Sequence, residues 1–72
     1  MKAIVEKGDD GLFSVYTKEV NGVFGSGMNL DEAKADFVRV LNEQAEYYKS
    51  KSSVYPQWYS AGKYKFEWIF VK

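Results

Sequence analysis

The sequence predicts an α+β fold of order β-β-β-α-β, with one helix packed on a small mixed sheet, and three observations carry that expectation. Short stretches of alternating apolar side chains recur between glycine-bearing turns from Lys2 to Gly27. One long segment after Asn29 repeats apolar residues at intervals of three and four. The last residues, Tyr64 to Val71, return to strict alternation. Seventy-two residues fit a single domain spanning 1–72.

The first strand is expected over Lys2 to Glu6, where Ala3 and Val5 share one face and Ile4 takes the other. Lys7-Gly8-Asp9-Asp10-Gly11 then supplies acidic turn residues and two glycines able to adopt positive φ, which fits a β-hairpin with an enlarged turn. In the second strand, Leu12 to Tyr16, the core side is the one carrying Phe13 and Val15. A turn over Lys18 to Gly22 leads to Val23-Phe24-Gly25-Ser26-Gly27. There the apolar pair suits a third strand, and the glycines call for a bulge, a close backbone approach or a turn toward the helix.

Asn29-Leu30-Asp31-Glu32 marks the helix start, because Asn29 is a strong N-cap and Glu32 sits at the reciprocal position three residues on. Acidic residues in the first turn also suit the helix dipole. Leu30, Ala33, Phe37, Val40, Leu41, Gln44 or Ala45, and Tyr48 form the apolar stripe of a helix of about five turns. That stripe and the apolar strand face each need a partner to leave water, so the helix is expected to cover one sheet face. Ser50, Ser52 and Ser53 weaken continuation, and the Tyr55-Pro56 step favours extended backbone at Tyr55. In the final strand Tyr64, Phe66, Trp68 and Phe70 alternate with Lys65, Glu67, Ile69 and Val71. With apolar residues on both faces, this strand is expected to be internal or to lie in an oligomeric contact. A return from the helix parallel to the first strand follows the right-handed crossover rule.

An apolar fraction of 46%, with 18% aromatic and 28% charged residues, places the chain among folded rather than disordered sequences. Ten basic and ten acidic side chains cancel, which argues against a broadly basic nucleic-acid footprint. The cancellation is not local: residues 1–46 carry five positive and nine negative charges, and residues 47–72 five positive and one negative. Such asymmetry suits steering of a charged partner or the pairing of two copies. A domain near this size buries only about 60% of its unfolded surface, and without cysteine there is no disulfide to help. A homodimer or higher homo-oligomer is therefore expected. The amino terminus has no long apolar run, so neither a secretory signal nor a membrane span is expected, and the default location is cytoplasmic.

The absence of histidine and cysteine excludes imidazole general-base chemistry, thiolate catalysis and the usual structural zinc site. Asp9, Asp10, Asp31, Glu32 and Asp36 remain as candidate metal-binding or acid-base carboxylates. Asp9 and Asp10 fall in a hairpin turn, Glu32 at a capping position and Asp36 on the wet edge of the helix, so ordinary structural chemistry accounts for each. A two-metal nuclease needs carboxylates converging from several elements to hold ions about 4 Å apart, and none of these five sits mid-strand. Gly25-Ser26-Gly27 lacks the longer phosphate-loop pattern and its lysine. The expectation is a protein without catalytic activity or cofactor.

The stretches VEKGDDGLFSVY and NGVFGSGMNLDEAKADFVRVL resemble the amino-terminal domain of the HicB-type antitoxin family. The matching positions are Asp9, Asp10, Gly11, Phe13, Gly22, Gly27, Leu30, Glu32 and Ala33, within residues 2–49. Val23 stands where the family often has cysteine, and Asn29 where it usually has a threonine cap, a change that keeps the capping role. The resemblance implies a partial RNase-H-like fold without nuclease activity, and stoichiometric inhibition of a small basic RNA-cleaving toxin. The sequence ends at Lys72 without the DNA-binding extension that many family members carry, so direct DNA binding is not expected. In that reading Asp9, Asp10, Glu19, Asp31 and Glu32 oppose the basic partner, and Trp58, Tyr59 and Trp68 supply aromatic anchors. Two alternatives remain. In a small RNA-binding module, Tyr47, Tyr48, Trp58, Tyr59, Tyr64 and Trp68 stack bases beside Lys49, Lys51, Lys63 and Lys65. In a homo-oligomeric structural or adaptor domain, the aromatic strand serves as core or interface.

Overall fold

The computed structural model describes residues 1–51 and 64–71. Strands β1 (Lys2–Lys7), β2 (Phe13–Tyr16) and β3 (Phe24–Gly27) precede a 22-residue helix, α1 (Leu30–Lys51), and β4 (Glu67–Val71) closes the chain. The architecture is α+β, one helix on a four-stranded mixed sheet of order β3-β2-β1-β4. β1 and β2, and β2 and β3, pair antiparallel, while β4 returns parallel to β1 with Ile4 opposite Ile69. The parallel return agrees with the crossover expectation. Among the described residues β4 lies at an edge of the sheet and not, as one of the two expectations has it, in its interior.

The first turn is tighter than five connecting residues. Gly8 donates to the Leu12 carbonyl at 2.8 Å, which closes a three-residue loop, Asp9-Asp10-Gly11, with Gly11 at φ 85°. A three-residue hairpin with glycine in the left-handed region is a standard solution where two strands must keep their twist. Asp10 fixes it further, its carboxylate accepting the Leu12 N–H at 3.0 Å.

The core lies between the sheet and the helix and comprises Ala3, Val5, Val15, Val20, Val23, Ala33, Phe37 and Leu41. Phe13, Leu30, Val38, Val40, Tyr64, Phe66 and Trp68 pack around it. In the predicted stripe, Ala45 rather than Gln44 takes the buried place. Val20 is a core residue in what reads from sequence as a plain turn. The helix continues through Ser50 to Lys51, past the first serine. The Tyr55-Pro56 step lies outside the described residues.

Close approach explains the glycines of β3. A Cβ on Gly25 would stand 2.3 Å from the Phe37 backbone nitrogen and 2.6 Å from the Ala33 carbonyl oxygen. One on Gly27 would stand 2.5 Å from the Glu32 Cβ. The helix backbone therefore rests directly on β3, a distance that only glycine permits. From β3 to β4 the sheet is three strand spacings wide, about 14 Å, more than one helix can cover. Phe66 and Trp68 reach the helix through edge-to-face contacts with Phe37 at 5.9 and 6.2 Å between ring centroids. Phe70, in register with Val5 but farther out, remains 60% exposed.

Candidate binding surface

Alternation along the four strands leaves one sheet face turned away from the helix. Strand register assembles a row across it: Phe24 lies opposite Tyr16, Tyr16 opposite Ile4, and Ile4 opposite Ile69. The neighbouring row is Ser26, Ser14, Glu6 and Val71. One step beyond the Phe13–Gly27 pair stand Leu12 and Met28, both exposed. Four of the six large apolar side chains that are exposed among the described residues, Leu12, Phe24, Met28 and Val71, belong to this face by strand alternation. A sheet with one solvated face normally carries polar residues there. Contiguous apolar surface is instead the mark of a binding face.

The acidic residues singled out in the sequence divide between two ends of the sheet. Asp9 and Asp10 sit in the β1–β2 turn, and Asp31 and Glu32 open the helix that follows β3. The Phe13–Gly27 pair brings both to the same end, where they border Leu12 and Met28. Glu19 lies in the β2–β3 loop at the opposite end. There its carboxylate accepts the Lys2 N–H at 2.7 Å, serving β1 where β2 has ended. Glu32 is the capping residue: its own N–H donates to Asn29 Oδ1 at 2.9 Å, and its carboxylate accepts the Met28 N–H at 3.1 Å. The reciprocal bond thus falls one residue earlier than in the usual capping box. Asp9 and Asp31, both exposed, make no such hydrogen bond among the described residues and leave their charge to the surface.

Asp36, assigned from sequence to the wet helix edge, accepts the Ser26 N–H at 3.0 Å and pairs with Arg39 at 2.7 Å; Arg39 also reaches Glu43 at 2.7 Å. The Arg39 guanidinium, then the Ser26 amide, hold the Asp36 carboxyl below the ordinary carboxylate range. Among the described residues no three His, Cys, Asp or Glu side chains are placed to hold a metal ion.

Trp68 lies on the helix side of β4, half-buried against Phe37 and Phe66, with the Lys34 ammonium 4.8 Å from its ring centroid. It is a packing residue rather than a free anchor. Trp58 and Tyr59 lie outside the described residues. Sequence reasoning set Ile4 opposite the core face but singled out none of Phe24, Tyr16, Ile4 and Met28 as binding residues. Alternation alone was a signal for them, but strand register was needed to set them side by side.

Compared with known proteins, no family model matches the chain, and no curated protein or solved structure matches it. No helix among the described residues is long and apolar enough to cross a membrane.

Proposed function

We propose that this chain is an antitoxin-like binding protein of the HicB type, built on a partial RNase-H-like fold, that inhibits a small basic RNA-cleaving toxin by covering it. The observation that carries the reading is the open sheet face, with its row of Phe24, Tyr16, Ile4 and Ile69 and its acidic end at Asp9, Asp10 and Asp31. Apolar side chains supply the desolvated centre of an interface, and carboxylates at its rim speed encounter with a basic partner. The chain breaks no bond in this account; it occupies the toxin surface that RNA would use. A cytoplasmic location accords with such a partner.

The RNA-binding alternative has less support. Of its stacking residues, Trp68 is engaged by Phe37 and Lys34, and Tyr64 packs against the core cluster. Co-expression with each small basic protein encoded beside its gene, followed by size-exclusion chromatography with light scattering, tests the proposal. A stable complex containing both chains is expected. Separate elution of every pair would remove the support for toxin binding.

A further inference from the structure

The two edges of the sheet are finished differently. On β3 the outward amides are those of Ser26 and Met28, and each donates to a helix carboxylate, Asp36 at 3.0 Å and Glu32 at 3.1 Å. The helix thus closes that edge to other strands. On β4 the Glu67 N–H donates to the Met1 carbonyl at 2.9 Å, which turns Glu67 toward β1. Peptide groups alternate along a strand, so Ile69 and Val71 also face β1, and Trp68 and Phe70 turn their N–H and C=O outward. Among the described residues nothing pairs with those outward groups. Edge strands are ordinarily guarded by charge, proline, a bulge or a covering element. β4 has one charge, Glu67 at its start, and exposes Phe70 on one face and Val71 on the other.

We propose that β4 pairs antiparallel with β4 of a second copy about a two-fold axis at Ile69, joining two four-stranded sheets into one. Hydrogen bonding and full strand overlap together select this geometry. A two-fold at Ile69 overlaps all five strand residues and sets Trp68 against Phe70 of the second copy, so that the outward groups of both residues exchange bonds in each direction. Glu67 then faces Val71, with no like charges opposed, whereas centring the axis on Glu67 would set two carboxylates against each other. Phe70 gains the neighbouring Trp68 ring on the same face, where the helix of its own chain does not reach. The self-complementary surface is what a two-fold dimer requires. It leaves the row from Phe24 to Ile4 accessible.

Light scattering on the full chain at high micromolar concentration is expected to give twice the 8.3 kDa chain mass. Phe70→Lys, at an exposed site, is expected to halve that mass while the circular dichroism spectrum is kept. An Ile69→Cys variant tests the register. In a non-hydrogen-bonded antiparallel pair the Cα atoms lie about 4.5 Å apart, within the range of about 4.4–6.8 Å that a disulfide spans. As the chain has no cysteine of its own, mild oxidation should yield a cross-linked dimer from Ile69→Cys and little from Tyr47→Cys on the helix. A monomeric wild type, a dimer that survives Phe70→Lys, or equal cross-linking at both positions would overturn the proposal.

Discussion

Gly25 and Gly27 carry the contact between helix and sheet, because the space a methyl group would need is already filled by helix backbone. Gly25→Ala must push α1 away from β3 and loosen the layer around Phe37 and Leu41. Forced overpacking of this kind costs about 1–3 kcal/mol, occasionally more. Gly22→Ala meets open space and has only its positive φ of 81° to overcome, a cost of about 1 kcal/mol. Urea denaturation of the two variants should therefore rank Gly25→Ala as the more damaging. Asp36 gives a second prediction at this scale. Its carboxyl is held below its unfolded value of about 3.9 by Arg39 and by the Ser26 amide. Its contribution to stability is present above that unfolded value and is lost as pH falls through the lower folded one. The urea midpoint of Asp36→Asn should accordingly fall less steeply than that of wild type as the pH is lowered below about 4.

At the scale of elements, the helix start depends on one side chain. Asn29→Ala removes the acceptor for the Glu32 N–H and should cost about 1 kcal/mol, with Asn29→Asp or Asn29→Ser restoring most of it, as thermal denaturation would register. This element was legible in the sequence, since its cap, first-turn acids and apolar stripe all agree on one assignment. β1, β2 and the hairpin between them were legible for the same reason. β3 was legible as a strand beginning at Val23-Phe24, with close backbone approach among the reasons open for its glycines, but the choice among those reasons lies in a helix that begins later in the chain. The burial of Val20 in the core cluster was not legible, because a lone apolar residue in a turn carries no periodicity. β4 was recognisable by alternation, yet its place at an edge required the pairing with β1 to be known.

For the whole molecule, the consequence is a one-sided fold. Among the described residues a single helix covers one sheet face and lies nearest β3, the row of Phe24, Tyr16, Ile4 and Ile69 is turned away from it, and nothing pairs with the outer edge of β4. The acidic turn and helix start were readable from sequence as charges. Their meeting beside Leu12 and Met28 was not, because antiparallel register decides which ends coincide. Glu32 serves a backbone amide at the helix start, as its capping position predicts, whereas Glu19 reads as a surface acid and yet accepts the Lys2 amide. The direct test of the central claim is a titration of RNA cleavage by a small basic toxin candidate, encoded beside the gene for this chain, with wild type and with Phe24→Glu. Phe24 is 64% exposed, so its replacement should leave the fold intact while placing a charge within the apolar row. The account predicts that wild type abolishes cleavage at an equimolar ratio, and that Phe24→Glu leaves cleavage at that ratio because its Kd for the toxin is raised at least tenfold, about 1.4 kcal/mol of lost affinity. Cleavage undiminished by excess wild type, or inhibition by Phe24→Glu as strong as by wild type, would contradict it.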